Sequence, residues 1–480
     1  GTDDGSFDVG DFFEIYALKN DGWLDAQIYT DPAKQANTAY SLFNDTAQYF
    51  ITFTPNSQGA RTTVYSTSTD LTQLAPSPYV VFTQRENYNS EYQLGKQDVN
   101  GISLPWYEEG EGWSDTRFPK GQTRTKNLST ASAYGQPGAP NALIEATSMG
   151  ASLAPGSFNH HLQLGYGSPF QVVVDTIFYG YQLNKLSFEI PASQLSSTTS
   201  VSHRSVDDIG ALTDFNAIAS IQITYPRLPI FTGTGLTSFK VPNFNNGAEG
   251  RVDITGINIS NPRLFVGKTD LIYEIPLAAN GNAFSAILPF AGSNDLEVVL
   301  TSDASIIEVQ NILPVTQTGF FTNYAENPVD SAFLMVTHPK LMAAAQAYAF
   351  HRETQGLSVV LTDIDELYMQ YGYGISKHPL AIRNFCRHLI QTWPSTPSHL
   401  FIVGKSIHEM KISNTVGARD NIDLYKSNLV PSWGYPTSDI VFTSGLGTSL
   451  YEPAIPTGRL AANNEQQLQD YLVKVVQFEN

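Results

Sequence analysis

Phe333-Leu334-Met335-Val336-Thr337-His338-Pro339 is an unbroken run of apolar and β-branched residues closed by a histidine and a proline. A strand with one wet face alternates polar and apolar residues; a run without alternation belongs to a strand covered on both faces, as in a parallel sheet. Pro339 then opens residues 340–351, where Leu341, Ala345 and Tyr348 fall on one helical face. The unit repeats downstream, with a second strand at 358–361, a second helix at 379–393, and a third strand at 399–403 ending on Gly404. Residues 440–442 read as a further strand, and 464–478 as a helix with Leu468, Tyr471, Leu472 and Val475 at helical spacing. Residues 330–480 are therefore expected to form an α/β subdomain with a mainly parallel sheet.

Upstream the period is different. Short apolar runs at 12–17 and 48–54 alternate with turn signals such as Asn20-Asp21-Gly22 and Pro55-Asn56-Ser57, which predicts an N-terminal β-domain over 1–125. Residues 126–158 are rich in Ser, Ala, Gly and Pro and read as a connector. Candidate strands then recur at 161–166, 171–178, 186–190, 219–225, 239–241, 252–257 and 296–301. Many short strands in succession predict a β-sandwich or jelly-roll domain over 126–325. A chain of 480 residues exceeds one ordinary core, so several domains are required in any case.

Composition narrows the function classes. The 45 acidic and 27 basic residues leave a formal charge of -18, which repels a polyanion and excludes nucleic acid as a partner. Few Lys and Arg among abundant Thr, Ser, Asn, Tyr and Gly suit an exported bacterial β-protein, and a secretion signal is expected upstream of the acidic first residues. No stretch has the roughly 18 apolar residues of a membrane helix. The one cysteine, Cys386, rules out an intrachain disulfide.

The residues that could carry chemistry are few. A nucleophilic cysteine needs an exposed, electropositive setting and a neighbouring base. Cys386 instead shares the apolar stripe Ile382, Phe385, Leu389, Ile390 and Trp393, and His388, two positions on, points about 200° away around the helix. Cys386 therefore reads as a packed thiol. His338 sits where ligands bind in open α/β sheets, though a strand-end histidine bonded to backbone fits the same position. His160 and His161 face opposite ways on a strand and read as a strand entry. Asp4, Asp8 and Asp11, with Asp3 around Gly5, offer hard oxygen ligands for calcium without EF-hand spacing; a solvated acidic turn is the competing reading, and no other cofactor is indicated. The run Thr232-Gly233-Thr234-Gly235 lies between β-segments and makes no phosphate loop.

Several motifs in order resemble one family. They are Met335-Val336-Thr337-His338-Pro339, Asp365-Glu366-Leu367-Tyr368, Tyr371-Gly372-Tyr373-Gly374-Ile375, Ala381-Ile382-Arg383-Asn384-Phe385, Phe401-Ile402-Val403-Gly404, Val430-Pro431-Ser432-Trp433, Tyr435-Pro436-Thr437-Ser438-Asp439 and Pro456-Thr457-Gly458-Arg459-Leu460. Together they are similar to the first half of the catalytic domain in gingipain-like (C25) cysteine peptidases, which has a caspase-like fold. At the other end, Asp4-Gly5-Ser6-Phe7-Asp8 and Ser41-Leu42-Phe43-Asn44-Asp45-Thr46 resemble the β-region that precedes this domain in the sortases of type IX secretion. The resemblance implies an endopeptidase at the cell surface or outer membrane that removes the C-terminal sorting domain of cargo proteins and works with other secretion components. It also implies that the catalytic histidine and cysteine follow residue 480, so no residue of this chain is expected to be catalytic and the chain alone is expected to be inactive. The rival expectation is a non-catalytic surface binding module with a degenerate peptidase-like domain.

Overall fold

The computed structural model describes residues 12–52, 61–95, 109–233, 235–244, 246–268, 271–316, 318–408, 417–434 and 437–479. The chain forms two compact units, one all-β within residues 53–95 and 112–313, the other α/β, built from described residues 12–52, 109–111 and 314–479.

In the β unit a ten-stranded sheet is shared by two cores. Its central strands run in the order Pro262–Lys268, Leu296–Ser302, Thr237–Val241, Val80–Asn87, Phe215–Arg227, Ala142–Gly150 and Leu183–Ile190. At one end, Ile144, Ile221 and Ile223 pack against Leu162, Leu164 and Val201 of a four-stranded sheet. At the other, Val241, Leu264 and Val298 pack against Val252, Ile254 and Leu288 of a three-stranded sheet. A fully buried aliphatic side chain contributes about 1.5–3 kcal/mol, so each layer supplies the driving force that a one-sided sheet lacks.

The expected all-β region thus appears, with finer detail than periodicity carried. Residues 126–158, read as a connector, hold most of the strand Thr123–Ser129 and the strand Ala142–Gly150. The first of these is polar throughout except for Leu128, which alone among its residues is buried. It takes its place from backbone pairing with Thr198–Ser205.

That partner strand carries an anomaly, His203. It is fully buried, and among the described residues neither ring nitrogen has a hydrogen-bond partner. Burial, helped by the charge of Lys126, lowers its pKa to about 3. The unfolded chain binds a proton at His203 near pH 6.5 while the folded chain does not, so stability falls as pH drops below 6.5, at about 1.4 kcal/mol per pH unit. Between pH 6.5 and pH 5 the expected loss is about 2 kcal/mol. Urea unfolding of wild type and His203→Leu at pH 7 and pH 5 checks this: the variant should lose less stability over that interval, and equal losses would refute the assignment.

The α/β unit has a four-stranded parallel sheet in the order Val359–Asp363, Phe333–Thr337, His399–Val403, Thr457–Leu460. Phe333 and Met335 face a layer containing Leu341, Ala345 and Tyr348 beside α1 (Met342–Thr354), with Leu468 of the C-terminal helix. Leu334, Val336, Leu400 and Ile402, one residue out of phase, are buried on the opposite face. Helix α2 (Ile364–Gln370) is short, and α3 (Leu380–Thr392) buries Ile382, Phe385, Cys386 and Leu389. Helix α4 (Ile422–Ser427) and α5 (Glu465–Glu479) complete the unit. Ile440–Phe442, expected as a strand, is a 3-10 turn that buries Val441 and Phe442 without strand pairing.

Residues 12–52, expected within a separate β-domain spanning 1–125, contain no strand. They form the 3-10 turns Leu24–Ile28 and Pro32–Lys34 and belong to the α/β unit, while residues 61–95 and 112–125 belong to the β unit. The apolar run at 12–18 leaves Phe12, Phe13, Ile15 and Leu18 exposed. What the segment buries instead is mixed: Leu24, Ile28, Leu42 and Phe43 together with Asn20, Asp25 and Ser41. Polar groups at those depths need specific partners, and His378, at the end of loop 371–378, provides one of them to Asp25.

Candidate functional site at the carboxyl edge of the parallel sheet

Strand order places the site. The chain leaves Phe333–Thr337 towards one edge of the sheet and leaves His399–Val403 towards the other. Two adjacent strands whose connections part in this way open a crevice at their carboxyl ends, the usual ligand position in open α/β sheets. His338 follows the first strand and Gly404 the second.

Gly404 adopts φ +146, and a Cβ there would stand 2.8 Å from Val430 Cγ2, so the turn admits no side chain. Arg459, on the neighbouring strand, donates to the carbonyls of Gly404, Val430 and Pro431 and makes a two-pronged pair with Asp439. The crevice floor is thereby tied to the segment that follows α4.

His338 Nδ1 accepts from the Lys340 amide at 3.1 Å, which caps the turn leading into α1. With Nδ1 accepting, the neutral ring carries its proton on Nε2. Burial holds its pKa below the ordinary imidazole value; Lys377 and Lys340 push the same way and Asp365 opposes them. Asp363 ends its strand and caps α2 through the Asp365 amide at 2.9 Å. Burial, with the charges of Asp365 and Glu366, raises the Asp363 carboxyl to about 6, against the pull of that backbone bond.

Lys377 lies in loop 371–378, is 9% exposed, and adopts φ 66. Its Nζ is 5.8 Å from the Tyr368 ring centroid and 5.7 Å from that of Tyr425. Burial lowers its pKa, partly offset by Asp365. The Tyr368 hydroxyl is buried and has no hydrogen-bond partner among the described residues, and burial raises its pKa well above 10.

The loop is braced by the N-terminal segment. Asp25 accepts from His378, Asn44 donates to the Ser376 carbonyl, Trp23 meets Tyr373 edge to face at 5.0 Å, and Phe43 packs on His378 at 4.5 Å. Gly374, at φ 79, abuts Gln48 so closely that a Cβ would come within 2.6 Å of that side chain.

The arrangement holds a cation and two groups able to hold or release protons. It does not contain Cys386, which is fully buried in α3 with its thiol pushed up to about 12 by burial. The packed-thiol reading stands. His338 is bonded to backbone, as the strand-end reading expects.

The other expected positions lie elsewhere. His160 and His161 begin a strand of the β unit, as expected, but the fold brings them acids that spacing did not reveal. His160 Nδ1 meets Asp214 at 2.6 Å, and the two nitrogens of His161 meet Asp208 and Asp175 at 2.6 Å each. Burial disfavours the charge on His161, yet the two carboxylates outweigh it and raise the pKa. Among the described residues no cluster of three or more His, Cys, Asp or Glu could hold a metal ion. Asp4, Asp8 and Asp11, the calcium candidates, lie outside the described residues, as do Tyr435 and Pro436 of the quoted motifs.

Comparison with known proteins follows the same division. Residues 326–480 match the model of peptidase family C25. The crystal structure of dimeric latent PorU from Porphyromonas gingivalis matches with a TM-score of 0.57 and 12% identity, over 87% of this chain and 39% of that chain. At that identity the likeness is one of fold, and this chain spans 39% of the length of that protein. A CUB1-EGF-CUB2 fragment of human MASP-1/3 matches at TM-score 0.13 and 7% identity, over 39% of this chain and 98% of that one. The infectious bursal disease virus VP2 subviral particle matches at TM-score 0.14 and 11% identity, over 47% and 65%. No curated protein matches the chain.

Proposed function

From a chain that resembles the C25 peptidase family over residues 326–480 and PorU in fold, we propose the front, non-catalytic part of a surface peptidase that processes the C-terminal sorting signals of secreted proteins. The β unit serves substrate and secretion-partner docking, and the parallel sheet supports one side of the catalytic crevice. The catalytic histidine and cysteine of this family are assigned to sequence following residue 480.

The observation that carries the reading is the coincidence of the family match with the α/β unit whose crevice opens at the carboxyl edge of the sheet. Burial of Cys386 supports the assignment of the nucleophile elsewhere. Export to the cell surface agrees with the acidic, Lys- and Arg-poor composition; among the described residues no helix is long and apolar enough to cross a membrane.

The test uses the complete gene product and a cargo protein carrying a C-terminal sorting domain. Removal of that domain is expected, blocked by thiol alkylation and unaffected by Cys386→Ala. Absence of thiol-dependent cleavage, or its loss in a folded Cys386→Ala variant, overturns the reading, and the first result favours a surface binding module.

A further inference from the structure

The loop that carries Lys377 is costly to build. Tyr373 and Lys377 both adopt left-handed backbone, at φ 54 and φ 66. A non-glycine residue is strained there, its Cβ crowding the following carbonyl. The loop also nearly buries Lys377, which makes no hydrogen bond or ion pair among the described residues; its ammonium lies over the rings of Tyr368 and Tyr425, and Asp365 acts on it only from a distance. Buried charges in folded proteins are as a rule paired, and an unpaired one costs several kcal/mol. Sparsely populated backbone held in place by its surroundings clusters at ligand sites. The surroundings here are Asp25, Asn44, Trp23 and Phe43 of the N-terminal segment, which hold the loop on the side of α2 and α4 where Asp365 and Tyr425 stand.

We propose that loop 371–378, braced by the N-terminal segment, is a receptor in which the Lys377 ammonium takes a carboxylate of a bound polypeptide. The chemistry selects the ligand. One lysine partly offset by Asp365 suits a singly charged anion and disfavours a doubly charged phosphate. The N-terminus of α2 is already capped by Asp363. Cation–π contacts of this length hold the ammonium in place without neutralising it. The carboxylate is supplied by the chain terminus or by an acidic side chain of the peptide.

The ligand class rests on the peptide-processing reading; the cation site does not. The probes are three fluorescein-labelled peptides of otherwise neutral sequence: one with a free C-terminal carboxylate, one amidated, and one amidated with an internal glutamate. Anisotropy titrations use the complete gene product as wild type, Lys377→Met and Lys377→Arg. One of the two carboxylate peptides is expected to bind wild type about tenfold or more tighter than the neutral peptide, in keeping with one charge-assisted hydrogen bond. Which of the two gains identifies the source.

Lys377→Met should abolish the difference while melting no lower than wild type, because a buried unpaired charge has been removed. Lys377→Arg should keep part of it. Raising the pH should erase the preference below the ordinary lysine range, since burial holds the ammonium pKa down; Asp365, His338, Lys340, Tyr368 and Tyr425 are the groups facing it, and only Lys377 loses the charge that the ligand needs. Equal binding of all three peptides, or discrimination that survives in folded Lys377→Met, overturns the proposal. Loss of sorting-domain cleavage with carboxylate discrimination intact would sink the proposed function and leave this site standing.

Discussion

Asp25→Ala is expected to destabilise the α/β unit by about 3–5 kcal/mol. The Asp25 side chain is 1% exposed and accepts from the Leu42 amide at 2.6 Å, from Ser41 Oγ at 3.2 Å and from His378 Nε2 at 3.1 Å. His378 Nδ1 accepts from the Leu380 amide at 3.2 Å, so the neutral ring gives its one proton to Asp25. The contact is therefore a carboxylate held by three donors, with no second charge to offset its burial. Alanine leaves an amide, a hydroxyl and an imidazole N–H without acceptors in a dry site, each costing about 1–3 kcal/mol. Asn cannot substitute fully, because its amide presents hydrogens to groups that are themselves donors. Urea unfolding of the α/β unit measures the loss, and hydrogen exchange at 373–378 locates it. Unchanged stability with unchanged exchange in that loop would show that the N-terminal segment rests on the unit without bracing it.

The contrast between what was legible and what was not follows from where each element takes its stability. Phe333–Thr337 and His399–Val403 announce themselves because burial on both faces demands unbroken apolar sequence. The edge strand of the sheet, Thr457–Leu460, pairs with His399–Val403 but carries no apolar run and enters the sequence reading only as part of a quoted motif. It contains an arginine whose charge is absorbed by neighbours far away in sequence. The segment 12–52 misleads for the converse reason: its apolar runs look like strands, yet what fixes it is a carboxylate 353 positions from its imidazole partner.

The same holds for the sites. Apolar spacing around Cys386 was sufficient to place the thiol in the core, because helical periodicity is local. The position of His338 at a strand end was also local information. The acids around His161, 47 and 14 positions away, came from strand pairing and a loop return. Lys377 carried one faint signal: a lysine three residues after the glycine-punctuated stretch Tyr371-Gly372-Tyr373-Gly374 and two before a helix-leading proline, where chain direction changes sharply. Its burial and lack of a partner are tertiary facts.

Arg459→Met is expected to cost about as much as Asp25→Ala, by a different route. All five guanidinium hydrogens are spent: Nε and Nη2 on Asp439 at 2.7 and 2.8 Å, Nη1 on Gly404 and Val430 at 2.6 and 2.9 Å, and Nη2 again on Pro431 at 2.8 Å. Methionine fills a similar volume but strands a mostly buried carboxylate and three carbonyls, for about 3–5 kcal/mol. Lysine keeps the charge but offers three donors from one point and cannot span the fork, so it should recover less than half of that loss. If the arginine served only as edge packing, Met and Lys would be equivalent and Asp439→Asn would be silent. If it is the tie between the crevice floor and the segment after α4, Asp439→Asn should cost less than Arg459→Met, and the double variant less than the sum of the two. The coupling measured in that cycle separates the two cases, because only a shared pair of groups makes the second substitution cheaper than the first.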